Sequence, residues 1–160
     1  MPQRFRLILL VLVMLALTCS RTGGASATPA FSDREDAQLV AARQIGFVNY
    51  VRILLGVPYS YGGTSPAGGF DCSGFTRYVY EHFGVELPHY SGAQYMLGSG
   101  VARTDLVPGD LVFFDGLGHV GLYLGGGMFI HAPHTGTSVS VDSLSGWYAD
   151  HYDGARRVLQ

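Results

Sequence analysis

The chain has 160 residues, with ten Lys and Arg against twelve Asp and Glu and a net charge of −2 with histidine neutral. That is length for one compact domain, and the balance excludes the positive field that a nucleic-acid or anionic-membrane surface requires. No internal repeat and no long low-complexity stretch is present.

The N-terminus reads as targeting. Arg4 and Arg6 supply a positive start, and Leu7 to Leu17 form an uncharged apolar run of eleven residues. A membrane-spanning helix needs roughly 20 such residues, so the run suits a signal peptide instead. Two processing routes are open: cleavage after Ala25-Ser26-Ala27, or cleavage before Cys19 with lipidation of that cysteine. The expected organisation is therefore a signal peptide over 1–27 (or 1–18 if Cys19 is lipidated), a leader over 28–32 and a single folded domain over 33–160. A leader of this length is not expected to hold an accessory domain. Removing 1–27 takes away Arg4, Arg6 and Arg21 and no acid, leaving seven basic and twelve acidic residues and a net charge of −5. The destination is outside the cytoplasmic membrane.

Asp33 caps a helix predicted to run to about Leu55, with Ala37, Val40, Ala41, Ile45, Val48, Val51 and Leu55 along one apolar face. Residues 59–70, rich in Gly, Ser, Thr and Pro, read as a loop, and Gly62, Gly63, Gly68 and Gly69 are most simply explained by flexibility. A second helix starts at Cys72 with Asp71 at its cap and ends at Phe83, before Gly84. A short helix is expected from Ser91 to Leu97. Beyond Pro108-Gly109 the texture changes to short strands: 111–114, 119–124, 128–132 and 139–141. Gly125-Gly126-Gly127 joins the middle two as a tight hairpin. One helical turn over Trp147–Tyr152 and a last strand over Ala155–Leu159 complete the chain. Helices first and antiparallel strands later imply an α+β domain.

Cys72 is the only cysteine outside the export signal, so in an oxidising compartment it has no disulfide partner. Placed in the first turn of a helix, its thiolate would be favoured by free backbone N–H groups and the helix dipole. Centring the hairpin on Gly126 pairs position 119 with 133, which makes His119 and His131 diagonal neighbours on one face. His119 can then take the thiol proton while His131 holds the far nitrogen of His119, the nucleophile–base–orienter pattern of acyl transfer. The backbone N–H of Cys72 is a natural oxyanion donor, and the hydroxyl of Tyr59 or Tyr61 offers a second. The plainer readings are a small core cysteine and two structural histidines. A zinc site from Cys72, His119, His131 and His134 is the chemical rival, although no Cys-x-x-Cys or His-Glu-x-x-His pair is present. No cofactor is expected. His82, His89 and His151 lack any partner pattern and are expected at the surface.

The ordered strings Gly56-Val57-Pro58-Tyr59-Ser60-Tyr61-Gly62-Gly63, Gly69-Phe70-Asp71-Cys72-Ser73-Gly74-Phe75, Leu87-Pro88 with Gln94, Pro108 to Phe114, His119 to Gly125 and Phe129-Ile130-His131-Ala132 resemble the NlpC-type cysteine peptidases. These are papain-like enzymes of bacterial peptidoglycan, and the resemblance covers about residues 43–159. It implies a papain-like single domain with N-terminal helices packed on an antiparallel sheet. It also implies Cys72 as nucleophile, His119 as base, His131 as third polar residue and Tyr59 near the oxyanion. Asp71 and Ser73 match positions that bind the substrate's amine or stem peptide in some members. Trp147-Tyr148 and Ala155 to Leu159 look like the lipoprotein endopeptidases of Gram-negative envelopes. One departure is His89, which follows Pro88 where the family often has Arg, and it bears on substrate preference. The implied activity is a monomeric, thiol-dependent endopeptidase acting on murein stem or cross-link bonds that involve diaminopimelate and D-amino acids. It would sit in the periplasm or be anchored to the outer membrane through Cys19. The alternatives are an amidase or transpeptidase on the same wall peptides, or a non-catalytic wall-binding protein.

Overall fold

The computed structural model describes residues 31–159. The expected export signal, with Cys19, and residues 28–30 of the expected leader lie outside the described residues. Helix α1 spans Phe31–Arg52. Among its residues from 36 onward, Phe47 and Val51 are buried, joined by Leu54 just beyond the helix. Phe47 packs its ring 5.2 Å from Phe83 and edge-on to Tyr80. The expected stripe is therefore corrected. Val40, Ile45 and Leu55 are exposed, because the aromatic Phe47 takes the core position and turns the buried face by one residue. The helix also stops earlier, and residues 53–55 close turns onto the carbonyls of Tyr50, Val51 and Arg52.

The loop over 59–70 contains a small hairpin, β1 (Thr64–Ser65) paired with β2 (Gly69–Phe70). It leads into α2 (Cys72–His82), whose Phe75, Val79 and Tyr80 are fully buried. Next come α3 (Ser91–Gln94), β3 (Ser99–Gly100) and a 3₁₀ turn over Arg103–Asp105. They are followed by β4 (Leu111–Phe114), β5 (His119–Gly125), β6 (Met128–His131), β7 (Ser140–Ser143), α4 (Trp147–Asp150) and β8 (Tyr152–Arg157).

Six strands form one antiparallel sheet in the order β3-β8-β4-β5-β6-β7. Side chains alternate across it. Leu111, Phe113, Val120, Leu122 and Ile130 pack with Phe75, Val79 and Tyr80 of α2. Val112, Phe114, Tyr123 and Phe129 form a second cluster with Leu144 and Ala155, against which Tyr148 and Tyr152 pack. Both faces of β4 are thus buried, which is why its sequence is an unbroken apolar run rather than an alternation. Among the described residues no helix is long and apolar enough to cross a membrane.

Candidate active site

Cys72 opens α2, and the residue before it anchors the turn. Asp71 has extended backbone and accepts the Gly74 N–H at 2.7 Å, a side-chain N-cap. The same carboxylate accepts from Gly62 N–H at 3.0 Å and from the Ser73 hydroxyl at 3.2 Å. His89 Nε2 lies 2.9 and 2.8 Å from its two oxygens. Two loops and the first turn of α2 are therefore tied to one buried acid. Gly74 lets the helix start against this loop, because a Cβ there would meet the Gly63 carbonyl oxygen at 2.1 Å. Residues 62 and 63 are thereby part of the helix's docking site, and the expectation of a merely flexible glycine loop is corrected. Gln94, fully buried, closes the other side: its amide donates to the carbonyls of Ser73 and Pro88 and its oxygen accepts from Thr76.

The thiol sits against the backbone N–H groups of Val120, Ser73 and Cys72 itself, which favour a thiolate. Burial opposes them and wins, with the Asp71 carboxylate adding to it, so the Cys72 thiol is held above its ordinary range. The helix N-terminus therefore does not give a resting thiolate, as the position alone suggests. Desolvation is the larger effect.

Val120, whose N–H meets the thiol, directly follows His119 at the start of β5. The turn that delivers His119 holds two non-glycine residues in left-handed backbone, Asp115 at φ 58° and Leu117 at φ 66°. It is fixed from outside: Leu117 N–H donates to Asp153 at 2.8 Å, and the Leu117 carbonyl accepts from the Ser91 hydroxyl at 2.6 Å. In the β5–β6 ladder Leu122 faces Ile130 and Tyr123 faces Phe129, the register in which 119 falls opposite 133. His119 Nε2 lies 2.6 Å from His131 Nδ1. Gly121 makes this approach feasible, since a Cβ on it would meet Phe129 Cδ2 at 2.6 Å and His131 Cβ at 3.2 Å.

Burial first, then the neighbouring imidazoles of His131 and His134, depress His119 from 6.5 to about 3. His131 is also lowered by burial, against the opposing pull of Asp142. Both rings are neutral at neutral pH. Asp142 was missing from the sequence reading: its Oδ2 lies 2.8 Å from His131 Nε2. The signal was present in the alternation Val139-Ser140-Val141-Asp142. The predicted strand ended at Val141, however, whereas β7 runs over Ser140–Ser143 and pairs Asp142 with Phe129.

Of the two tyrosines left open as oxyanion donors, Tyr59 is half-buried beside the thiol. Burial, then the charges of Cys72 and Asp71, push its phenol up. Tyr61 is 91% exposed. Ser73 is buried with its hydroxyl turned to Asp71. The surface assignment of His89 is corrected: it is half-buried on Asp71, because the carboxylate supplies the partner that no local pattern shows. His82 and His151 are exposed, stacked on Tyr50 and Trp147. His134 is exposed, with Nδ1 2.9 Å from the Thr135 carbonyl oxygen. Among the described residues no three His, Cys, Asp or Glu side chains are grouped to hold a metal ion.

The profile of the NlpC/P60 family matches residues 56–157. The chain is similar to the murein DD-endopeptidase MepH of Escherichia coli, with 37% identity over 143 residues, 84% of this chain and 52% of that protein. It is similar to a gamma-D-glutamyl-L-lysine dipeptidyl-peptidase of Bacillus cereus, with 42% identity over 119 residues, 70% of this chain and 35% of that protein. It thus spans about half the length of the first relative and about a third of the second. Among solved structures, an NlpC/P60 family protein from Bacillus cereus superposes with a TM-score of 0.69 at 40% identity, covering 73% of this chain and 40% of the other. The NlpC/p60 domain of the peptidoglycan hydrolase SagA gives 0.64 at 39% identity, covering 72% of this chain and 98% of that domain. The helices packed on an antiparallel sheet match the α+β papain-like fold of these structures, and the chain belongs to the NlpC/P60 family.

Proposed function

We propose that this protein is an exported cysteine endopeptidase that hydrolyses peptidoglycan stem or cross-link bonds involving diaminopimelate and D-amino acids. The observation that carries the reading is the 2.6 Å contact between His119 and His131, made where the residue after His119 touches the thiol of Cys72. The names of the relatives, a murein endopeptidase and a peptidase of γ-D-glutamyl peptides, support the substrate class. Periplasmic residence, anchoring through Cys19 or release after Ala27, and a monomeric state belong to the same proposal.

The mechanism starts from a neutral thiol and a neutral imidazole. As the substrate carbonyl approaches, His119 takes the proton from Cys72, and the sulfur attacks the carbonyl carbon. A low proton affinity in His119 makes it a weak resting base and a strong acid once protonated, which suits delivery of that proton to the leaving amine. The backbone N–H groups of Cys72 and Ser73, already aimed at the sulfur, are placed for the developing oxyanion, with the Tyr59 hydroxyl beside them. Departure of the amine leaves a thioester, and water, deprotonated by His119, hydrolyses it. Asp71 holds the cap, the 62–63 loop and His89 together around this centre.

Mass spectrometry of muropeptides before and after digestion tests the substrate. Products with new termini at diaminopimelate or D-amino-acid bonds are expected. An untouched muropeptide profile would remove the reading.

A further inference from the structure

We infer that Asp142 is a positioning residue that fixes the tautomers of both histidines and so leaves the Nδ1 lone pair of His119 as the proton acceptor. The argument is one of hydrogen-bond inventory. A carboxylate only accepts, and a neutral imidazole carries one N–H and one lone pair. The 2.8 Å contact between Asp142 Oδ2 and His131 Nε2 therefore puts the His131 proton on Nε2. His131 Nδ1 is then a lone pair, and its 2.6 Å contact with His119 Nε2 requires that nitrogen to carry the proton. His119 Nδ1 is left unprotonated, and among the described residues no hydrogen-bond partner occupies it.

The geometry is repeated across three strands. Phe129 faces Asp142 and His131 faces Ser140 in the β6–β7 ladder, so Asp142 stands diagonal to His131 as His131 stands diagonal to His119. The His131 ring is kept in plane for both contacts by Phe129 at 4.7 Å and by Tyr148, edge-on at 5.4 Å. Tyr148 also faces the carboxylate, whose charge adds to burial in pushing its phenol up to about 12, so it stays a neutral hydroxyl. Without Asp142 nothing forbids the opposite arrangement. His131 could then donate from Nδ1, move the His119 proton to Nδ1 and remove the base. Buried acids in hydrolase triads fix an imidazole tautomer in the same way; here the effect passes through two rings.

The test is imidazole ¹⁵N NMR on the full-length protein at neutral pH, with the rate of Cys72 alkylation by iodoacetamide as second readout. Wild type should show both histidines protonated on Nε2. Asp142→Ala should give mixed or inverted tautomers and alkylation slower by roughly 10- to 100-fold, part of the roughly 10²- to 10⁴-fold that a placed general base contributes. Asp142→Asn, whose amide oxygen still accepts from Nε2–H, should keep the tautomers and recover most of the rate. Nδ1 protonation of His131 in wild type would overturn the inference, whether or not the Ala variant folds. So would unchanged tautomers in Asp142→Ala, or an Asn variant as impaired as Ala. The inference takes its catalytic meaning from the peptidase reading, yet neither readout uses murein. Correct tautomers in a protein inert toward murein would sink the function and leave the relay standing.

Discussion

Asp71 concentrates more of the site's order than any other side chain. It caps α2, holds Gly62 and pairs with His89, all with one carboxylate. Asp71→Ala should therefore lose more than a cap. A destabilisation of about 2 kcal/mol is expected from the cap and the buried donors left unpaired, read from the urea midpoint, together with a fall in turnover as the Cys72 turn loosens. A shift within a few tenths of a kcal/mol would show that the loops hold themselves. The 2.8 Å contact with Asp71 accounts for the half-buried place of His89. Its ring reaches both oxygens of Asp71 by itself. The cap was legible along the chain, but the His89 contact was not, because Asp71 and His89 are eighteen residues apart and meet only when α2 and the loop before α3 pack together.

At the scale of elements, the β5–β6–β7 ladder is the structural device that makes the relay. Its first step was legible in outcome, since His119 and His131 are diagonal neighbours, although the register is set by the glycine turn together with a bulge between Tyr123 and Gly125. The second step was not, because the apolar alternation stops at Val141, the single β-branched apolar residue of Ser140–Ser143, and the strand ends in polar residues. The strand exists because β6 offers it an edge, which is a tertiary cause. The same holds for the Thr64–Ser65 and Ser99–Gly100 strands, whose composition reads as loop. In α1 the error was of a different kind: several apolar stripes fit the sequence, and the one containing Phe47 wins by ring packing. The ladder also predicts a sensitive position. Gly121→Ala would drive a methyl group into Phe129 and His131, with a cost of about 1–3 kcal/mol for overpacking and slower alkylation of Cys72 as the imidazole contact opens. Wild-type stability and reactivity in this variant would contradict the assigned packing.

Across the whole molecule, the buried neutral histidines give stability a defined pH dependence. Unfolded, His119 titrates near 6.5; folded, it is depressed to about 3, and His131 moves in the same direction. Between those limits the unfolded chain binds protons that the folded one refuses. The stabilisation is thus fully present above about pH 6.5 and drains away as pH falls toward 3. The urea midpoint should drop between pH 7 and pH 4.5, and less steeply in His119→Gln; equal slopes in the two proteins would contradict the burial of a neutral His119. The measurement that bears most directly on the proposed function compares wild type with Cys72→Ala on purified murein sacculi, with folding of both verified by circular dichroism. Release of muropeptides by wild type and none by Cys72→Ala is the predicted result. Equal release by the two proteins would show that the thiol at the start of α2 is not the nucleophile.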